Sequence, residues 1–180
     1  MQYAGMSTLD VLDQGEPIAI SFDDLLKYHG RSSIGGVAHG FKVMERALPL
    51  LAGGHPPERH DIAIATAFPG PGARDAFEMV TRAVTADRYE VDEELAGPEV
   101  PEAPEGRYFF RLDYLGTVVD LTLRPGLIRD DFIPLVRKEH KTPADEERLV
   151  WMKEEMADRL LTLPADEVYD ARMTSTAPEG

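Results

Sequence analysis

Two strand-like runs, Arg107-Tyr-Phe-Phe-Arg-Leu-Asp-Tyr114 and Thr117-Val-Val-Asp-Leu-Thr-Leu123, are separated only by Leu115-Gly116. Both are rich in β-branched and aromatic residues, and a two-residue gap is the length of a tight hairpin turn. Parallel strands need a crossover of roughly a dozen residues or more, so this pair has to be antiparallel. A purely parallel, doubly wound sheet is therefore not expected. Helix-like segments precede and follow the hairpin, and the expected class is α+β, with helices packed on a mixed or antiparallel sheet.

The surrounding segments have clear punctuation. Ser21, with Asp24 three residues on, is a variant of the capping box; Leu25, Leu26 and Tyr28 then give a short helix that Gly30 ends. From about Gly36 to Leu51, Val37, Phe41, Met44, Leu48 and Leu51 recur at helical spacing, widened by Gly40, Val43 and Ala47. This predicts a well-buried helix whose last turn bends or unwinds at Pro49. Asp61–Thr66 reads as a strand, Phe68-Pro-Gly-Pro-Gly72 as a break, Ala73–Val84 as a helix and Arg88–Asp92 as a short strand. Residues 93–106, dense in Glu and Pro, read as an exposed, mobile loop. A helix bent near Pro134 is expected over Asp130–Lys141. Thr142-Pro143 opens another, with Leu149, Met152, Met156, Leu160 and Leu163 as its buried stripe. The expected organisation is a weakly patterned lead-in over 1–20, with Pro17–Ile20 as a candidate strand, one domain over 21–171, and a loose tail over 172–180.

Composition removes whole classes of function. The 180 residues carry a net charge of −14, which opposes nucleic acid and anionic membranes, so neither is an expected partner. No apolar run approaches the roughly 20 residues of a membrane-spanning helix. Asp10 and Asp13 stand near the start, with no basic stretch before an apolar segment, so a signal peptide is not expected and a cytoplasmic location is. There is no cysteine, hence no disulfide, thiolate metal site or cysteine nucleophile.

The chemistry-bearing residues concentrate in Tyr28-His29-Gly30-Arg31-Ser32-Ser33 and the glycine pair Gly35-Gly36. His29, expected in a loop between two helices, can shuttle a proton or ligate a metal; equally it can bond a backbone group at a helix end. Ser32 and Ser33 can cap the next helix, or with Arg31 and the first N–H groups after them hold an anion. Gly35 and Gly36 match neither a P-loop nor a dinucleotide fingerprint. His39 shares the expected polar side of its helix with Lys42 and Arg46, which makes it a surface residue unless that helix's first turn faces the His29 loop. A second candidate stretch runs from Phe68 through Gly70 to Asp75, where a strand passes into a helix. Asp75 is a candidate ligand or base there, or simply pairs along the helix with Glu78 and Arg82. His55, His60 and His140 read as solvated.

These stretches together resemble the FmdE-like proteins, a family that takes its name from a component of formylmethanofuran dehydrogenase. The resemblance lies in Tyr28-His29-Gly30-Arg31-Ser32-Ser33-Ile34-Gly35, in Gly40, in Asp75-Ala76-Phe77, in the Arg107–Leu123 hairpin and in Leu163-Pro164-Ala165. It implies one FmdE-like domain and a His-centred pocket for a metal, a metallocofactor or a small anionic ligand. It departs where the family's second His and its Cys fall on Arg31 and Ser33, so a cysteine-dependent metal site does not carry over. The site expected on this basis has His29, Arg31 and Asp75 as catalytic residues and Tyr28, Ser32, Ser33, Gly35, Gly36, Phe68 and Gly70 as ligand contacts. His29 and His39 are the expected metal ligands. An enzyme using His29 as general acid/base or metal ligand, and a homodimer that pairs through its buried helices without catalysis, are the alternative functions.

Overall fold

The computed structural model describes residue 3 and residues 5–175. The segment expected as a lead-in is an antiparallel hairpin, β1 (Leu9–Asp13) and β2 (Glu16–Ile20), with Leu9 opposite Ile20. Gln14 and Gly15 both take positive φ (51° and 85°), the geometry of a two-residue turn whose twist matches that of the strands. Leu9, Val11 and Ile20 enter the core, which is why this short two-stranded unit holds. Ser21 then caps α1 (Phe22–His29) with a complete capping box, its hydroxyl accepting from the Asp24 N–H and the Asp24 carboxylate accepting from the Ser21 N–H.

The next helix, α2 (Ile34–Leu51), starts two residues earlier than the periodicity predicts and continues through Pro49 to Leu51. It is buried on nearly every side, because the helices over residues 71–81 and 143–162, the β1–β2 hairpin and the main sheet all pack on it. After β3 (Ile62–Thr66), α3 covers Pro71–Thr81, opening on a proline at its first position and ending at Arg82 in the left-handed region. Strand β4 (Tyr89–Val91) lies parallel to β3, while β5 (Phe109–Tyr114) lies antiparallel on its other side. The predicted hairpin is present: β5 and β6 (Thr117–Leu123) pair antiparallel around Leu115 and Gly116, at φ 52° and 90°.

The helix expected over Asp130–Lys141 is shorter, α4 (Phe132–Arg137). The long α5 (Pro143–Thr162) has a full capping box from Thr142 and Asp145 and buries the expected stripe of Leu149, Met152, Met156 and Leu160. A single turn, α6 (Ala165–Val168), leads into β7 (Tyr169–Ser175). This last strand corrects the expected loose tail: residues 172–175 pair along β6, with Val119 opposite Met173, and residues 176–180 lie outside the described residues.

The main sheet has the order β4-β3-β5-β6-β7, mixed and predominantly antiparallel. Its core face carries Ile62, Ile64, Phe110, Leu112, Val119, Leu121 and Tyr169 against the helices. The molecule is thus an α+β fold with helices on a mixed sheet. On the other face, Phe109 is covered by Val100 and Ala67, so residues 93–106 are packed at Val100 and Ala103 rather than wholly exposed. No helix among the described residues is long and apolar enough to cross a membrane.

Candidate functional site

A cavity of about 460 Å³ opens where α2 and α3 begin, closed by residues 104–105, Tyr108, α4 and the middle of α5. That volume is within the range of small-molecule sites. Two glycines allow the walls to meet. A Cβ on Gly72 would lie 2.5 Å from the Ser33 carbonyl oxygen and 2.7 Å from the Val37 nitrogen, and one on Gly36 would lie 3.3 Å from the Gly72 Cα. The Phe68–Gly72 loop is held from below. Thr66 Oγ1 donates to the Phe109 carbonyl at 2.7 Å and accepts from the Phe68 N–H at 3.0 Å, and the Ala67 carbonyl accepts from the Arg107 N–H at 3.0 Å.

His39 stands in the wall of this cavity and is 1% exposed. This corrects its expected place on a polar surface. Lys42, on the same side of α2, is 2% exposed with its ammonium on Glu45 at 2.6 Å, and the face that reads as polar is folded inward. The imidazole is fixed on two sides. Nδ1 is 2.8 Å from the Tyr169 hydroxyl, and the ring stacks on Tyr108 with centroids 4.5 Å apart; Tyr108 in turn stacks on Phe68 at 5.0 Å. Nε2 is buried with no hydrogen-bond partner among the described residues, which makes it the polar atom His39 has left to offer a ligand. Burial, with a further push from Arg159, brings the imidazole pKa down to about 3, so the ring is neutral at physiological pH. Burial raises the Tyr169 and Tyr108 phenols, which stay protonated. If Tyr169 donates to Nδ1, Nε2–H is a donor; if Tyr169 accepts, Nε2 is an acceptor.

Ser33, Gly35, Gly36, Phe68 and Gly70 from the expected set of ligand contacts line the cavity. Tyr28 does not; it is 48% exposed. Ser32 is likewise exposed, and its carbonyl accepts from the Lys153 ammonium at 3.3 Å. Arg31, expected to orient an anion, reaches outward to Glu154 at 3.6 Å. His29 is the last residue of α1 rather than a loop residue, and its Nδ1 is 2.7 Å from Asp75 Oδ2, which ties α1 to α3. Burial alone would raise the Asp75 carboxyl, but hydrogen bonds from His29 and Arg74 outweigh it and hold it below the usual carboxylate range. Two residues read separately in the sequence therefore form one pair. His29 Nε2 is also buried without a partner among the described residues, although His29 and Asp75 do not line the cavity. Further along the same helix Glu78 pairs with Arg82, as expected, and bonds Thr85, while Asp75 is engaged by His29 and Arg74.

The expected metal pair, His29 and His39, is split between different partners, Asp75 and Tyr169. Among the described residues, no group of three or more His, Cys, Asp or Glu side chains is placed to hold a metal ion. The residues that the sequence reading missed are Tyr108, just before β5, Tyr169 in β7, and Lys153 and Met156 in α5, all far along the chain. One local signal did exist, since Gly35, Gly36 and His39 are spaced i, i+1 and i+4 and so share a helix face. A larger concavity along α5, lined by Trp151, Glu154, Glu155 and Asp158, is formed largely by exposed side chains and, among the described residues, holds no unpartnered buried polar atom. Comparison with models of known protein families and with curated proteins gives no match.

Proposed function

We propose that this chain is an FmdE-like protein that binds a small molecule in the cavity over His39. The FmdE-like relation rests on the Tyr28–Gly35 stretch and on Asp75-Ala76-Phe77. The binding reading is carried by one observation: a neutral, fully buried imidazole in a cavity wall whose Nε2 has no partner among the described residues. An unmet buried polar atom costs on the order of 1–3 kcal/mol, and a ligand that bonds Nε2 recovers that cost on binding. Phe68, Tyr108, Phe132 and Met156 supply an apolar lining for the rest of the molecule. A thermal-shift screen of a metabolite library against the wild type and His39→Phe tests this. Phe keeps the ring stack on Tyr108 but has no Nε2, and circular dichroism checks that it folds. Compounds that stabilise the wild type and not the variant are the expected result; no stabilising compound, or identical profiles, overturns the reading.

The His29–Asp75 pair favours a second reading, an enzyme in which His29 is the general acid/base and Asp75 orients it. Under that reading His29→Ala keeps ligand binding and loses turnover of the bound compound. Unchanged turnover would assign the pair to holding α1 against α3.

A further inference from the structure

The class of ligand can be read from how the cavity's helices begin. The first turn of a helix holds N–H groups without intrahelical acceptors and carries the positive end of the helix dipole. At α1 and α5 these are met by complete capping boxes and by acidic residues in the first turn. At α2 and α3 no described side chain caps the N-terminus, and no acidic residue stands in the first turn. Both of these uncapped ends, Ser33–Gly36 and Gly70–Gly72, line the cavity. An independent observation on the same wall is the unpartnered Nε2 of His39, a side chain 1% exposed. Lys153 adds a full positive charge beside them. Its ammonium sits on the Ser32 carbonyl, one residue before the N-cap of α2, and has no carboxylate partner among the described residues. The other cation on the wall, Arg137, is already engaged by Glu102 and by the Ala103 and Pro104 carbonyls.

We propose that the cavity takes an organic monocarboxylate with an apolar body. The carboxylate lies between the starts of α2 and α3 beside Lys153, and a hydrogen-bonding atom of the body meets His39. This rests on the cavity being the ligand site. A single negative charge fits better than a phosphate dianion, because one unpaired cation faces it and Glu105 on the same wall repels a second charge. His39, being neutral, selects for a polar atom and not for charge.

Amide ¹H–¹⁵N spectra of the wild type and Lys153→Gln, titrated with 3-(4-hydroxyphenyl)propionate, 3-(4-hydroxyphenyl)propionamide, 4-hydroxyphenyl phosphate and 3-(4-hydroxyphenyl)propylamine, whose phenol supplies the polar atom for His39, test this. The carboxylate should shift the Gly35, Gly36, Gly72 and Ala73 amides saturably. Loss of one charge-assisted contact corresponds to about tenfold weaker binding, expected both for the amide in the wild type and for the carboxylate in Lys153→Gln. If the amide, the phosphate or the amine binds as well as the carboxylate, or if Lys153→Gln changes nothing, the ligand class is wrong while the cavity stands. If no compound shifts a cavity amide, the inference falls, and the His39→Phe screen separately decides whether the cavity binds anything.

Discussion

A buried imidazole such as His39 couples the stability of the fold to pH. In the unfolded chain its pKa is near the ordinary value of about 6.5, whereas in the folded protein it is about 3. The folded state therefore binds this proton less readily than the unfolded chain. The stability contributed by the neutral ring is complete above the unfolded value and is lost progressively as pH falls from there toward the folded one. While only the unfolded chain is protonated, the slope approaches about 1.4 kcal/mol per pH unit. Urea denaturation of the wild type and His39→Gln between about pH 7 and pH 5 should show the wild type losing stability more steeply; parallel curves would mean that His39 protonates in the folded state. A polar reading of this side of α2 follows naturally from the sequence, since His39, Lys42 and Arg46 occupy it together. It fails because Tyr169 and Glu45, supplied respectively by a distant strand and the neighbouring turn, meet His39 Nδ1 and the Lys42 ammonium and let the helix be enclosed.

At the scale of elements, the site depends on how closely two helices begin. The Gly72 Cα lies against α2 with no room for a side chain, because the atoms in the way are the backbone oxygen of Ser33 and the backbone nitrogen of Val37. Backbone moves only if the helix moves. Gly72→Ala is expected to destabilise the fold by roughly 1–3 kcal/mol, the range of overpacking in a well-filled interior, despite the gain in helix propensity. Chemical denaturation measures this, and a neutral or stabilising alanine would show that α2 and α3 do not meet as described. The contrast in capping is only half legible in the sequence, which offers Ser33 as a cap that the structure does not use. Ser21 with Asp24 and Thr142 with Asp145 form both halves of their boxes, while Ser33 caps nothing and Gly70-Pro71 offers no side chain that could.

For the whole molecule, the histidine in the cavity wall is held from the far end of the chain. Tyr169 lies in β7, at the edge of the sheet, yet is fully buried, and its hydroxyl holds a histidine 130 residues earlier. Tyr169→Phe leaves both His39 nitrogens without a partner and is expected to cost about 1–3 kcal/mol, read from urea denaturation, with a shift of the His39 ¹⁵N resonances. An unchanged imidazole spectrum would show that the pair does not form. What the sequence by itself determined was local: the hairpin at Leu115-Gly116, the antiparallel character that makes the fold α+β, the cap of α1 and the start of α5 at Thr142-Pro143. Each of these depends on residues within one or two turns of each other. Only the tertiary structure decided that His29 meets Asp75 while His39 faces the cavity, that Arg31 and Ser32 point away, and that residues 9–13 and 172–175 belong to strands. Those outcomes depend on which distant groups can satisfy a buried polar atom, and sequence periodicity reports which face of a helix is apolar but not what will cover the other one.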